Sequence, residues 1–186
     1  RDVELADLAA RIRPGTVVTV VGPGGVGKTA LVREHARHQG ATWIAELSGV
    51  ASPADVVHSV VSATGAAPRR DLGDLEALVE TLSGRVGLLV LDNCEHVVDA
   101  AAELVESVIS RCGDLSVVAT SRVPLGLTAE QVSVLEPLTV PAANASSATI
   151  AESPSVQLFC TRAHARNDRF VLTEENAAAV AEICRR

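Results

Sequence analysis

The stretch Gly22-Pro23-Gly24-Gly25-Val26-Gly27-Lys28-Thr29 constrains this chain more than any other. It fits the pattern G-x-x-x-x-G-K-[ST], and its flanks suit that pattern. A β-branched run, Thr16–Val21, leads in, and a helical stretch from about Lys28 to Gln39 leads out. Each residue type has a physical task. Glycines reach positive φ and let backbone N–H groups approach phosphate oxygens with no Cβ in the way. The helix that follows points its positive end at the same oxygens. Lys28 neutralises the β- and γ-phosphates, and the Thr29 hydroxyl is the expected Mg²⁺ ligand. Gly22, Pro23, Gly24, Gly25, Val26, Gly27, Lys28, Thr29 and Ala30, the last in the first helical turn, form the expected phosphate-binding set. Lys28 is also the only lysine, against fifteen arginines among the 16 basic residues. Where arginine otherwise replaces lysine, the one exception marks a place that needs a compact ammonium.

Such a loop requires a strand before it and a helix after it, and the rest of the chain repeats that alternation. Residues 2–12 read as a helix ended by Pro14-Gly15. Ala41–Leu47 reads as a second strand. Ser52 caps a helix with Pro53 in its first position, running to Thr64. A loop is expected over 65–73 and a short helix over Asp74–Leu82. Val86–Leu91 (VGLLVL) is apolar enough for a central strand buried on both faces. Val97–Arg111 is an amphipathic helix, and Leu115–Thr120 and Gln131–Leu135 are further strands. Strands alternating with helices predict an α/β fold, a parallel sheet flanked by helices of the P-loop NTPase kind. After Pro137 the composition changes. We expect a P-loop ATPase domain over 1–136, a small-residue linker over 137–152, and over 153–186 the first helices of a truncated helical domain. Those helices, Pro154–Arg166 and Thr173–Arg186, carry Ser153 and Thr173 as caps.

Two strand ends carry further candidates. Asp92 closes LLVLD, where such proteins keep a carboxylate for Mg²⁺, so Thr29 and Asp92 are the expected metal ligands. Hydrolysis also needs a group to orient water. Asn93 stands where many related ATPases have an acid, and an amide is a poor base, so turnover should be slow. Glu95, three beyond Asp92, could reach the γ-phosphate, as could His96; the alternative is that both merely open the following helix. Arg122 follows Thr120-Ser121 at the carboxyl end of its strand, where ligands of α/β sheets sit, and could contact the γ-phosphate. Lys28, Asp92, Glu95 and Arg122 are therefore the expected catalytic residues. The other histidines, His35, His38, His58 and His164, show no metal spacing beyond a His35/His38 pair on an exposed helix, and all four read as surface or packing residues.

Charge and composition exclude several classes. A net charge of −7 argues against direct DNA contact, which needs clustered Lys and Arg. The only three aromatics, Trp43, Phe159 and Phe170, make no stacking surface for single-stranded nucleic acid. No apolar run reaches a membrane span, and four scattered cysteines read as core residues of a cytoplasmic protein. The absence of methionine suggests a piece of a longer protein. A small-molecule kinase would need an arginine-rich lid, and region 122–136 offers Arg122 alone. A GTPase would need N-K-x-D, which is absent.

GPGGVGKT followed by LLVLDNCEHV and VVATSRVPLGL resembles the STAND-class ATPase domain, related to NB-ARC and apoptotic ATPases, of bacterial SARP-type and LuxR-type transcriptional regulators. The resemblance covers nearly the whole chain. It implies an ATP/ADP switch with slow Mg²⁺-dependent hydrolysis, working with other domains of the parent chain and in a nucleotide-dependent oligomer. DNA would be reached through a fused domain. By position it implies Asp92 as Mg²⁺ ligand, Arg122 as a sensor of the γ-phosphate and Arg1 near adenine and ribose. The family's helical domain continues into a G-L-P-L-type motif that touches adenine, and Arg186 falls short of it. The alternative is an oligomerisation scaffold that binds nucleotide without turnover, which Asn93 favours.

Overall fold

The computed structural model describes residues 1–67 and 73–186. It divides into two compact units, Arg1–Glu136 and Pro137–Arg186.

The first unit begins with α1 (Asp2–Arg11), β1 (Val17–Val21), α2 (Lys28–Ala36), β2 (Thr42–Glu46) and α3 (Pro53–Thr64). It continues with α4 (Asp74–Leu82), β3 (Gly87–Asp92), α5 (Val98–Ile109), β4 (Leu115–Ser121) and β5 (Glu130–Val134). The five strands form one parallel sheet in the order β2-β3-β4-β1-β5. The predicted α/β class and parallel sheet are thus observed, with strand limits within a residue of expectation. The loop expected over 65–73 lies partly outside the described residues.

Alternation along the strands explains why both faces are covered. Leu89, Leu91, Leu115, Val117 and Ala119 point to one side and pack with Val56 and Val60 of α3, Leu78 and Leu82 of α4, and Leu104, Val105 and Val108 of α5. Val18, Val20, Leu88, Val90 and Val118 point to the other and meet Leu8 of α1 and Leu31 and Val32 of α2. Each fully buried Val or Leu contributes about 1.5–3 kcal/mol. Only strands apolar on both faces can sit in such a sheet.

Local signals set the helix ends. Ser52 Oγ accepts from the Asp55 N–H at 3.3 Å, and Asp55 Oδ2 accepts from the Ser52 N–H at 3.1 Å, a reciprocal cap that starts α3 at Pro53. Gly65, at φ 68°, ends it. The sheet order makes the connection after β1 leave in the opposite direction from the one after β4. The carboxyl ends of β1, β4 and β3, neighbours in that order, therefore open a crevice at a topological switch point.

The second unit holds α6 (Ser147–Glu152), α7 (Pro154–Arg166) and α8 (Glu174–Arg185). Its small core is Ile150, Val156, Ala177, Val180 and Ala181, with Phe159 and Phe170 meeting edge to face at 5.8 Å. The stretch expected as linker thus contains a helix, α6, capped by Ser146 Oγ on the Thr149 N–H. Ser153 makes no side-chain cap on α7. Its hydroxyl donates to the Thr139 carbonyl at 2.9 Å instead.

Candidate functional site

The loop between β1 and α2 leaves the sheet at Gly22, which is buried, and Pro23, Gly24 and Gly25 stand exposed at its tip. Gly25 and Gly27 have φ of 76° and 105°, values that L side chains rarely adopt. Gly22 is required for a different reason: a Cβ there would lie 2.6 Å from the Leu135 carbonyl oxygen. No side chain caps α2 at Gly27, so its first N–H groups are left without a side-chain acceptor. Lys28 is buried. Its Nζ donates to the Gly22 carbonyl at 2.9 Å and the Pro23 carbonyl at 3.2 Å, folding the ammonium back over the loop.

Asp92 ends β3 beside β4, and two hydroxyls converge on one of its oxygens. Thr29 Oγ1 donates to Asp92 Oδ1 at 2.7 Å and Thr120 Oγ1 donates to the same oxygen at 2.6 Å. Thr120 in turn accepts from the Asn93 N–H at 2.9 Å. Asp92 is 7% exposed, so these bonds offset a desolvation cost that would otherwise be large. Thr29 and Asp92, expected as partners, are together. Thr120 is the member that sequence reasoning missed. A hydroxyl at the end of a strand carries no signal until β3 and β4 are known to be neighbours.

The turn after Asp92 explains the remaining motif. Asn93 is the one non-glycine residue with positive φ (70°) among the described residues, a conformation asparagine tolerates. Cys94 is fully buried, and its N–H donates to the Thr120 carbonyl at 2.9 Å. Desolvation, with the Asp92 and Glu95 charges adding to it, pushes its thiol up to about 12, so it stays protonated and serves as packing. The chain then carries Glu95 toward the end of β4. There Glu95 Oε1 accepts from Arg122 Nε at 3.1 Å, while Glu95 Oε2 is buried without a protein donor. The Arg122 guanidinium lies over the loop: a Cβ built on Gly24 would sit 3.5 Å from Nη2. His96 is exposed.

Arg1 approaches from another side, donating from Nη2 to the Val26 carbonyl at 3.1 Å while Nη1 pairs with Glu4 at 2.7 Å. Among the other histidines, His35 lies in the core rather than on an exposed helix face. No cluster of three or more His, Cys, Asp or Glu able to hold a metal ion occurs among the described residues. Nor is any helix there long and apolar enough to cross a membrane.

This crevice can take a polyanion. One ammonium, one exposed guanidinium and a helix N-terminus surround an open glycine loop, with a carboxylate and a threonine hydroxyl beside it.

Comparison with known proteins agrees with that geometry. A protein from Mycobacterium tuberculosis with the provisional name HTH-type transcriptional regulator is 31% identical over 183 residues. The match covers 96% of this chain and 19% of that protein. An uncharacterized protein of the same organism is 30% identical over 192 residues, covering 100% of this chain and 46% of its own. The chain therefore spans from a fifth to under half of these relatives. Among solved structures, the Signal Transduction ATPase with Numerous Domains (STAND) protein of Pyrococcus horikoshii aligns over 98% of this chain and 27% of its own, with TM-score 0.59 at 16% identity. The Aeropyrum pernix ORC2 protein, solved as ADPNP and ADP complexes, aligns over 98% of this chain and 65% of its own, with TM-score 0.59 at 11% identity. Both likenesses are of fold. The family model described as AAA domain matches residues 12–130, which hold β1 to β4, the glycine loop, Asp92 and Arg122, and the chain belongs to that family of P-loop ATPase domains.

Proposed function

We propose that residues 1–136 bind ATP and ADP with Mg²⁺ and act as a slowly hydrolysing regulatory switch within a larger transcriptional or signalling regulator. The observation that carries this reading is the Lys28–Thr29–Asp92–Thr120 cluster beneath an exposed glycine loop. Backbone N–H groups of Gly24 to Ala30 would take phosphate oxygens, and Lys28 would exchange the Gly22 and Pro23 carbonyls for the β/γ-phosphates. The Thr29 hydroxyl and the Asp92 carboxylate are hard oxygen donors 2.7 Å apart, which suits Mg²⁺. The ion, when bound, would supply charge neutralisation between the phosphates.

Arg122, placed over Gly24, is the group we assign to the terminal phosphate. Glu95, whose Oε2 lacks a protein donor, is the acceptor we assign to the attacking water. Arg1 steadies Val26 on the side we assign to ribose and adenine. Residues 153–186 would then belong to a helical domain. A ligand shifts a switch only by its difference in affinity for the two states, and Arg122 is a source of that difference between ATP and ADP.

The HTH-type name of the relatives supports a transcriptional regulator; the SARP or LuxR type, DNA contact in a domain outside this acidic segment and nucleotide-dependent assembly in the cytoplasm are our own assignment. A second reading, a nucleotide-bound scaffold without turnover, is favoured by Asn93 beside Asp92 and by the engagement of Glu95 Oε1 with Arg122.

Titration with fluorescent ATP and ADP analogues, plus single-turnover phosphate release, tests both. We expect binding of both nucleotides, weakened at least ~100-fold in Lys28→Ala by loss of the only ammonium at the phosphates. Turnover lost in Lys28→Ala and Glu95→Gln excludes the scaffold. Binding of neither nucleotide overturns the proposal.

A further inference from the structure

We propose that Glu95 is a positioning residue for Arg122, and that this ion pair sets how strongly the site prefers ATP over ADP. The inference rests on the nucleotide-binding reading above and gives Glu95 Oε1 a role of its own, apart from the one assigned to Oε2.

Three observations lead to it. Arg122 follows the end of β4, its side chain is 64% exposed, and its N–H donor bond to a side chain is the one from Nε to Glu95 Oε1 at 3.1 Å. A long, exposed guanidinium would otherwise sample many rotamers, and fixing it at binding costs side-chain entropy. The Glu95 side chain is only 17% exposed and is held by a turn with little freedom. Asn93 sits at positive φ, and Cys94 is buried and bonded to Thr120. The anchor is therefore held by its backbone, and the group it anchors is one that would otherwise sample many rotamers.

The geometry of the pair also divides the donors. Glu95 takes the Nε edge, and Nη2 is the guanidinium atom nearest to Gly24, at 3.5 Å from the position of a Cβ there, against 4.0 Å for Nε. Nη2 is thus left over the exposed tip of the loop. Glu95 aims the fork at the phosphate site without occupying the end that would meet a terminal phosphate. Because ADP lacks that phosphate, loss of the anchor should fall on ATP and leave ADP nearly unchanged.

The pair makes the effects of the two residues interdependent, which a double-mutant cycle reads. Affinities for ADP and for a non-hydrolysable ATP analogue would be measured on wild type, Glu95→Ala, Arg122→Ala and the double variant. Glu95→Gln keeps the side-chain volume and a neutral acceptor should alanine disturb the turn. We expect Glu95→Ala and Arg122→Ala each to lower the ATP-to-ADP affinity ratio roughly tenfold, the double variant to lower it no further, and Glu95→Gln to fall between. An unchanged ratio in both Glu95 variants, with binding still dependent on Lys28, overturns this inference alone, as do strictly additive effects. A wild-type protein that binds neither nucleotide removes the reading beneath it as well.

Discussion

At the scale of single residues, the structure separates side chains that the site uses from those the core merely carries. Lys28, Thr29 and Asp92 were legible in the sequence because one contiguous motif and one strand end declare them. Thr120 and the Glu95–Arg122 pair were not, because they depend on which strands are neighbours and on the positive φ of Asn93. Two core residues give predictions of their own. Thr19 is fully buried in β1, and its hydroxyl has no partner. Thr19→Val should therefore raise stability by about 1 kcal/mol, measured by denaturant unfolding, and a loss would show that the hydroxyl is satisfied. His35 is buried with Nε2 unpartnered, and desolvation, with a smaller contribution from His38, holds its pKa below the usual 6.5. The folded state keeps it neutral while the unfolded chain takes up a proton below pH 6.5. Its contribution to stability is therefore full above that pH and is lost as pH falls toward the depressed value. The thermal midpoint should drop between pH 7 and pH 5, and less so in His35→Leu. Equal drops would contradict the assignment.

At the scale of elements, strands and helices were legible wherever burial follows a regular period. VGLLVL could only be a doubly covered strand, and the Ser52-Pro53-Ala54-Asp55 cap fixes the start of α3. The two misses have different causes. Helix α6 has six residues and a single buried side chain, Ile150, so its small polar composition outweighed any period. Ser153 lay in a capping position, yet its hydroxyl found the Thr139 carbonyl, a tertiary partner invisible to local reading. The β1–α2 loop shows how tightly one element binds another. A Cβ at Gly22 would meet the backbone oxygen of Leu135 at 2.6 Å, and that contact has no flexible end to yield. Gly22→Ala should cost about 1–3 kcal/mol and weaken nucleotide binding together with stability. An alanine variant with unchanged thermal midpoint would show that the loop and the chain after β5 move freely.

For the molecule as a whole, the sheet order β2-β3-β4-β1-β5 is what turns three distant segments into one site. β4 stands between β1 and β3, so Thr120 can hold Asp92 while Arg122, two residues on, reaches over the loop that follows β1. Because the chain contains one lysine, its side chain reports on that site without ambiguity. Isotope-labelled lysine would give a single side-chain ammonium signal in a magnetic resonance spectrum. With Mg²⁺ present, ATP and ADP should both shift that signal as Nζ leaves the Gly22 and Pro23 carbonyls for phosphate oxygens, and adenosine should leave it in place. A signal that stays fixed at saturating ATP would contradict the account.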